Sequence, residues 1–403
     1  MPLQRITLCS LTRPVHWLPK LTAILLCSPV TAADPYLPNS DNEVLETLPR
    51  ILLAKQDELT TLRQRLTNNP SSPDLATTVA SHYLQLGNQA GDPRFYGYAR
   101  AAIEPWWEAK RPPTSLLQLR AKLKEKEHRY DQALADLRLL LEAEPRHAQA
   151  WIEIANLYRV QGKYAQAEQA CDHLSQFAHP FQTLLCRAPL QAMTGEAEAA
   201  YKSLTSATTE VKQLWPAALP WLHVIQAKLA WALGDEQQAE QHFRAGLSGA
   251  PSSGHLLRNY ADFLLDRGQY REVVNLLQPH LSDNGVLLRA AIAARGSQDQ
   301  LLAAKWKTEL ANRFAEIRLR GNQPHGRYEA RYALELQADP QRALQLALAN
   351  WQQQKEVRDT RTLLAAAVAA KNPAATKHAR AFLKESKTEE IELQKLVRQL
   401  ELL

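Results

Sequence analysis

Catalytic signatures are what this chain most visibly lacks. It contains no G-x-x-x-x-G-K-[ST], no G-x-G-x-x-G, no H-E-x-x-H and no G-x-S-x-G. Nothing therefore announces a phosphate-cradling loop, a dinucleotide site, a zinc-protease helix or a hydrolase elbow. The twelve histidines include no i, i+4 pair. His173 and His179 straddle a helix end beside Pro180, and a metal there would need ligands from elsewhere. No cofactor and no metal are expected. Long apolar runs are missing too: after residue 33 no stretch approaches the roughly 20 uncharged residues of a membrane-crossing helix. Glycine is scarce, 14 in 403 residues, which suits helices. A strong charge of one sign is also absent. The formal net charge is +6, and Arg5, Arg13 and Lys20 stand in a first stretch of 33 residues without an acid. The remainder carries about +3, too mild to argue for nucleic acid.

That basic opening has the form of an export signal. Its n-region ends at Lys20, an apolar stretch runs from Leu21 to Cys27, and Val30, Thr31, Ala32 and Ala33 offer small residues for cleavage after Ala32 or Ala33. The expectation is a periplasmic protein with no transmembrane segment in the mature chain. Cleavage removes Cys9 and Cys27 and leaves Cys171 and Cys186, an even count in an oxidising compartment. They form either a disulfide closing a short loop or a pair of buried thiols. The sequence does not supply the Cα separation that would decide between these.

What the chain does contain is a repeat. Trp151, Ile154, Ala155 and Tyr158 fall on one face of a helix. Gly162 breaks the run, Tyr164 restarts it, and Ala167 and Cys171 lie a turn apart on a second helix. Thirty-four residues earlier stand Tyr130, Ala133 and Leu140 at the places of Tyr164, Ala167 and Leu174. Later copies bring Ala200, Ala239 and Val273, with turn glycines at Gly162, Gly195, Gly234 and Gly268. A second good copy has Leu257, Tyr260, Ala261, Leu264, Gly268 and Tyr270. This pattern resembles the tetratricopeptide repeat, a helix-turn-helix unit of 34 residues. The resemblance implies an all-α fold, a right-handed superhelical solenoid of antiparallel helix pairs, each pair too thin to bury its apolar face alone. Two copies depart from the pattern. Around 116–123 and 222–229 the apolar set of the first helix (Leu116, Leu119, Leu123; Leu222, Ile225, Leu229) sits one residue early, as a longer turn would produce. Pro189 falls inside a first helix, where a kink is expected.

Taken in order, residues 1–33 are the leader and 34–72 an N-terminal segment with a leading helix. Residues 73–113 form an atypical repeat with an aromatic cluster, 114–280 the clear repeats, 281–385 degenerate repeats, and 386–403 a capping helix. The cluster comprises Arg94, Phe95, Tyr96, Tyr98, Trp106 and Trp107. It reads either as a recognition surface rich in hot-spot residues or as a plug on the first repeat, with Arg94 stacking or paired to an acid. Leu393, Leu396, Val397, Leu400 and Leu403 share a face of the last helix, which caps the solenoid or docks a partner.

The resemblance also implies a concave groove lined by first helices. Its candidate residues are Gln149, Ile152, Asn156 and Arg159 in the best copy, with Gln118, Lys122, Arg258 and Asp262 in its neighbours. Family members that grip a peptide's terminal carboxylate use Lys, Asn and Arg there, and Asn156 matches one of them. The expected function is a non-catalytic adaptor in the cell envelope that holds a partner protein or peptide in this groove. A subunit of an envelope assembly, such as a polysaccharide-export machine, is the second expectation, and a metal-handling protein or enzyme accessory factor the third.

Overall fold

A single residue in the left-handed region follows the first helix of each pair. Gly162, Gly195, Gly234 and Gly268 have φ of 74°, 84°, 85° and 69°. The same conformation is taken by His128, Gln298, Ala338 and Lys371, with φ of 59°, 65°, 56° and 51°. Such a residue lets the chain reverse while it caps the preceding carbonyls. Lys163 N–H donates to Tyr158 O at 2.8 Å and Asp235 N–H to Ala230 O at 2.9 Å. Arg129 to Lys124, Gln269 to Leu264 and Asp299 to Ala294 repeat the bond.

The computed structural model describes residues 56–319 and 325–403. The leader and the N-terminal segment up to residue 55 lie outside these, and with them the expected cleavage site. The described residues are helical with no strand among them. Helix α1 spans Gln56–Asn68. Helices α2 (Pro73–Ala90) and α3 (Arg94–Ala102) make the first pair, joined through Gly91 at φ 65°. Ser72 caps α2 by accepting from Leu75 N–H, with Pro73 in its first turn. One helical turn, Glu104–Trp107, leads onward. Pairs then follow: α4 (Thr114–Lys126) with α5 (Tyr130–Ala143), α6 (Ala148–Val160) with α7 (Tyr164–Ser175), and α8 (Pro180–Gln191) with α9 (Ala197–Leu214). Next come α10 (Leu219–Ala232) with α11 (Glu236–Gly249), α12 (Gly254–Asp266) with α13 (Tyr270–Leu277), and α14 (Asn284–Gly296) with α15 (Gln300–Leu319). Helices α16 (Gly326–Glu335), α17 (Pro340–Gln353), α18 (Val357–Ala369), α19 (Lys377–Ser386) and α20 (Ile391–Glu401) complete the chain.

The core is a strip between stacked pairs. Ala133, Leu137, Ala150, Leu157, Ala167, Cys171 and Leu174 are all buried, as the repeat pattern requires. Cys171 on α7 and Cys186 on α8 form a disulfide, with Cα atoms 5.8 Å apart. It ties consecutive pairs together, a constraint worth about 3 kcal/mol for a loop this short. Helix α8 stays helical through Pro189.

The two copies that depart from the pattern have no longer turn. Arg120 stands eight residues before its left-handed residue, as Ile154 does in the best copy, and Gln226 does the same before Gly234. A polar side chain occupies a core place in each. Arg120 is 3% exposed. It donates to both carboxylate oxygens of Asp136 at 2.8 and 2.5 Å, and to the carbonyls of Trp106, Trp107 and Ala109. Gln226 donates to Thr208 at 3.0 Å and pairs with His223. The apolar residues are in register; the missing one made them look displaced.

The C-terminal helices then fold back along the turns. Phe382 packs on Gly162, Lys387 on Gly195 and Ile391 on Gly234, so residues 382–391 cross three successive turns. Thr388 donates to Met193 O at 3.1 Å, and Glu389 accepts from Ala197 N–H at 3.0 Å. Helix α20 packs on α18 and also reaches α10. At the other end α2 touches α12, and Gly91 lies against Asp283, the cap of α14.

Two glycines separate the cost of the turn from the cost of the strap. Gly162→Ala and Gly268→Ala each place a β-carbon at positive φ, which costs about 1–2 kcal/mol. A β-carbon on Gly162 would also meet Phe382 and Lys355 at 2.9 Å, whereas Gly268 has only Tyr270 at 4.0 Å. Urea unfolding is expected to show Gly162→Ala as clearly the more damaging substitution; equal losses would mean the strap contributes nothing at that turn.

Candidate functional site

The first helices of the pairs form one wall, and α16 and α18 fold against it. The residue six before each left-handed turn falls in one column: Lys122 on α4, Asn156 on α6, Lys228 on α10 and Asp262 on α12. Pro189 takes that place on α8. This column carries the chemistry of the wall.

At one end, Gln118, Lys122 and Gln149 converge on Glu153, with separations of 2.8, 3.2 and 3.0 Å. Ile152 and Asn156 beside them are half-buried, and Asn156 makes no side-chain hydrogen bond to any described residue. Burial raises the Glu125 carboxyl above the usual range, helped by Glu153 and Glu356 nearby. This part of the wall is recessed but open.

Further along, the chain's own C-terminal helices use the wall. Arg159 donates to Glu356 at 2.9 Å. Lys355 N–H donates to Val160 O at 2.7 Å, and Gln354 reaches His128 at 2.6 Å. Asp262 is 7% exposed and meets Arg289 on α14 at 2.6 Å, Arg331 on α16 at 2.7 Å and Arg358 on α18 at 3.9 Å. Those three guanidiniums outweigh its burial and hold its carboxyl far below the ordinary range. Arg258 pairs with Asp283, Arg358 donates to Asn259, and Arg361 pairs with Asp266. Arg327 binds Asp359 at 2.9 Å. Burial and the neighbouring Glu356 push Asp359 up, while Arg159 and Arg327 hold Glu356 down against its own burial.

Three of the eight expected groove residues, Arg159, Arg258 and Asp262, are therefore engaged by ion pairs within the chain. Stacking of the next pair sets Asp283 and Arg289 beside Arg258 and Asp262, and folding back of the later helices brings Arg331, Glu356 and Arg358 to Asp262 and Arg159. Gln118, Lys122, Gln149, Ile152 and Asn156 remain on the accessible part. The pattern missed Lys228 and His255, which stand on the same wall. Counting six residues back from Gly234 would have found Lys228.

The aromatic cluster packs mostly inward. Trp107 is 1% exposed and lies under Arg100, with Lys124 and Arg129 also over its ring. Phe95 and Tyr98 pack with Tyr83, Tyr96 lies on Gly87 and donates to Asn88, and Trp106 joins the same core. Burial pushes the Tyr96 hydroxyl up to about 12, with Asp283 adding to it. Arg94 pairs with Asp92 at 2.6 Å. Tyr98 alone of the cluster is half exposed. No group of three His, Cys, Asp or Glu among the described residues could hold a metal, and no described helix is long and apolar enough to cross a membrane.

One carboxyl gives the strap a pH dependence. Glu390 caps α20 by accepting from Leu393 N–H at 2.5 Å and is 6% exposed. Burial raises it to about 7, against the pull of Arg361 and with Glu392 and Asp266 adding to the rise. A carboxyl raised on folding stabilises the fold while protonated. That contribution is complete below the ordinary value of 4.5 and is lost as pH climbs through about 7. Glu390→Gln keeps an acceptor and removes the charge. It is expected to raise stability at pH 8 by about 1–3 kcal/mol and to change little at pH 4; denaturation curves at the two pH values check this.

Residues 125–184 match the family described as tetratricopeptide repeat. No protein of curated function matches the sequence. Among solved structures the chain is similar to a tetratricopeptide repeat protein from Parabacteroides merdae. The two are 18% identical with a TM-score of 0.42, covering 64% of this chain and 93% of that one. It is also similar to the TPR domain of P58(IPK), at 15% identity and a TM-score of 0.21, covering 80% and 96%. Residues 125–184 are thus tetratricopeptide repeats, set in an all-α solenoid of antiparallel helix pairs.

Proposed function

We propose that the protein is a non-catalytic scaffold of the cell envelope that holds a partner protein or peptide on the open part of its inner wall. The repeat type itself is generally an interaction scaffold. The observation that carries the location is the division of the wall. Arg159, Arg258 and Asp262 are engaged by internal ion pairs, whereas on α4 and α6 Gln118, Lys122, Ile152 and Asn156 are half-buried and Gln149 is exposed. Lys122 and the two glutamines share one acid, Glu153, so donors remain for an acidic or extended segment. Export is supported by the Cys171–Cys186 disulfide, since such bonds persist in oxidising compartments, and by the signal-like leader.

Lys122→Glu reverses a charge on the open wall without touching the pairs of Arg159 or Asp262. Affinity capture from envelope extract is expected to lose its main partner with this variant and to keep it with Lys202→Glu, which lies on exposed α9 surface. Partners retained by both variants would place binding elsewhere. Export is tested separately: N-terminal sequencing of the protein from a periplasmic fraction is expected to begin at Ala33 or Asp34, and an intact Met1 in the cytoplasm would refute it.

A further inference from the structure

One cation on the wall is left unneutralised by its surroundings. Lys228, on α10, makes no hydrogen bond or ion pair with any described residue. The charges that act on it most are Arg358 and Arg159, both repulsive, and Glu356, attractive. Glu356 is already taken, since its carboxylate binds Arg159 at 2.9 Å and stands 3.8 Å from Arg327. Arg358 is in a similar position: it donates to the neutral Asn259, and Asp262 at 3.9 Å is held more closely by Arg289 and Arg331. The Nε–H groups of Arg159 and of Arg327, itself 7% exposed, are buried with no acceptor. His255, at the start of α12, feels the same cations, with its ring tilted against Trp221 at 5.2 Å. Burial, together with Arg358, Arg258 and Lys228, holds it neutral.

A chain does not keep an unpaired ammonium among guanidiniums at no cost, because desolvation and repulsion both oppose it. Lys228 shows this strain: burial and its cationic neighbours lower it to about 8, so at neutral pH it still carries most of its charge. Donors are in excess of acceptors, and they come from α6, α10, α16 and α18. A single carboxylate presents its acceptors in one plane. A tetrahedral dianion presents acceptors in several directions at once and suits guanidinium forks.

We propose that the cation cluster on α6, α10, α16 and α18 binds a small doubly charged oxyanion, phosphate or a phosphate monoester, with Lys228, Arg358 and the unpaired Nε–H groups of Arg159 and Arg327 as its donors. The site is composite. Its donors come from the wall of the repeats on one side and from α16 and α18 on the other. It is separate from the open part of the wall at Lys122, so it stands or falls independently of partner binding.

Calorimetric titration of the full chain with sodium phosphate, against sodium chloride at matched ionic strength, tests this. Saturable binding of one phosphate per chain is expected, with an affinity that Lys228→Met weakens about tenfold or more. A parallel titration with glycerol 3-phosphate separates the two sources: tighter binding than phosphate identifies an ester as the ligand, weaker binding identifies the free ion. Lys228→Met is also expected to raise the melting temperature of the anion-free protein, because it removes an unneutralised charge. That sign distinguishes it from a variant that has merely been damaged. Heat no greater than with chloride overturns the proposal. So does unchanged phosphate affinity in Lys228→Met, or an equal loss in Lys202→Met, which would make the binding diffuse.

Discussion

The structure depends on one residue per repeat adopting a conformation that L-amino acids disfavour. Each first helix can fold back into its partner only if the chain reverses within two or three residues, and a left-handed residue does this while donating to the open carbonyls behind it. Everything larger follows from that reversal. It sets which faces meet, how far one pair is from the next, and the pitch at which the stack turns. The C-terminal strap lies close at Gly162, Gly195 and Gly234, while Gly268 takes the same conformation with only Tyr270 near it. Bulkier residues hold it at His128, Gln298, Ala338 and Lys371.

This explains which parts of the fold were legible in the sequence. Between Trp151 and Tyr270 the reversing residue is glycine, and the small apolar place five residues later is held by Ala167, Ala200, Ala239 and Val273, so the pairs can be followed from one to the next. Beyond Gly268 the reversals at Gln298, Ala338 and Lys371 carry no sequence mark, because any residue can be forced into that conformation by its neighbours. The same blindness made Arg120 and Gln226 look like a slip of register. A buried arginine with an aspartate sixteen residues away is an exposed arginine as far as periodicity can tell.

The candidate site was harder to read, for a reason that lies in sequence distance. Arg159 and Glu356, or Asp262 and Arg358, are about a hundred to two hundred residues apart. Each looks like an ordinary charge on a solvated helix face. Only when the superhelix closes do they meet, and their desolvation then makes pairing obligatory. The expectation of an open groove was sound for α4 and α6 and failed at α12, where the chain supplies its own occupants. Lys228 lay in the same column throughout, but with Pro189 in the copy before it and Gln226 in a core place the column was hard to follow.

Stacked helix pairs of this kind behave as coil springs, in which neighbours touch neighbours and the whole can lengthen by small changes at every joint. The bond from Lys355 N–H to Val160 O, together with the strap over three turns, fastens one coil to another. A spring tied in this way cannot stretch without first letting go of the knot. Its end pairs share the fate of its middle instead of peeling away one at a time.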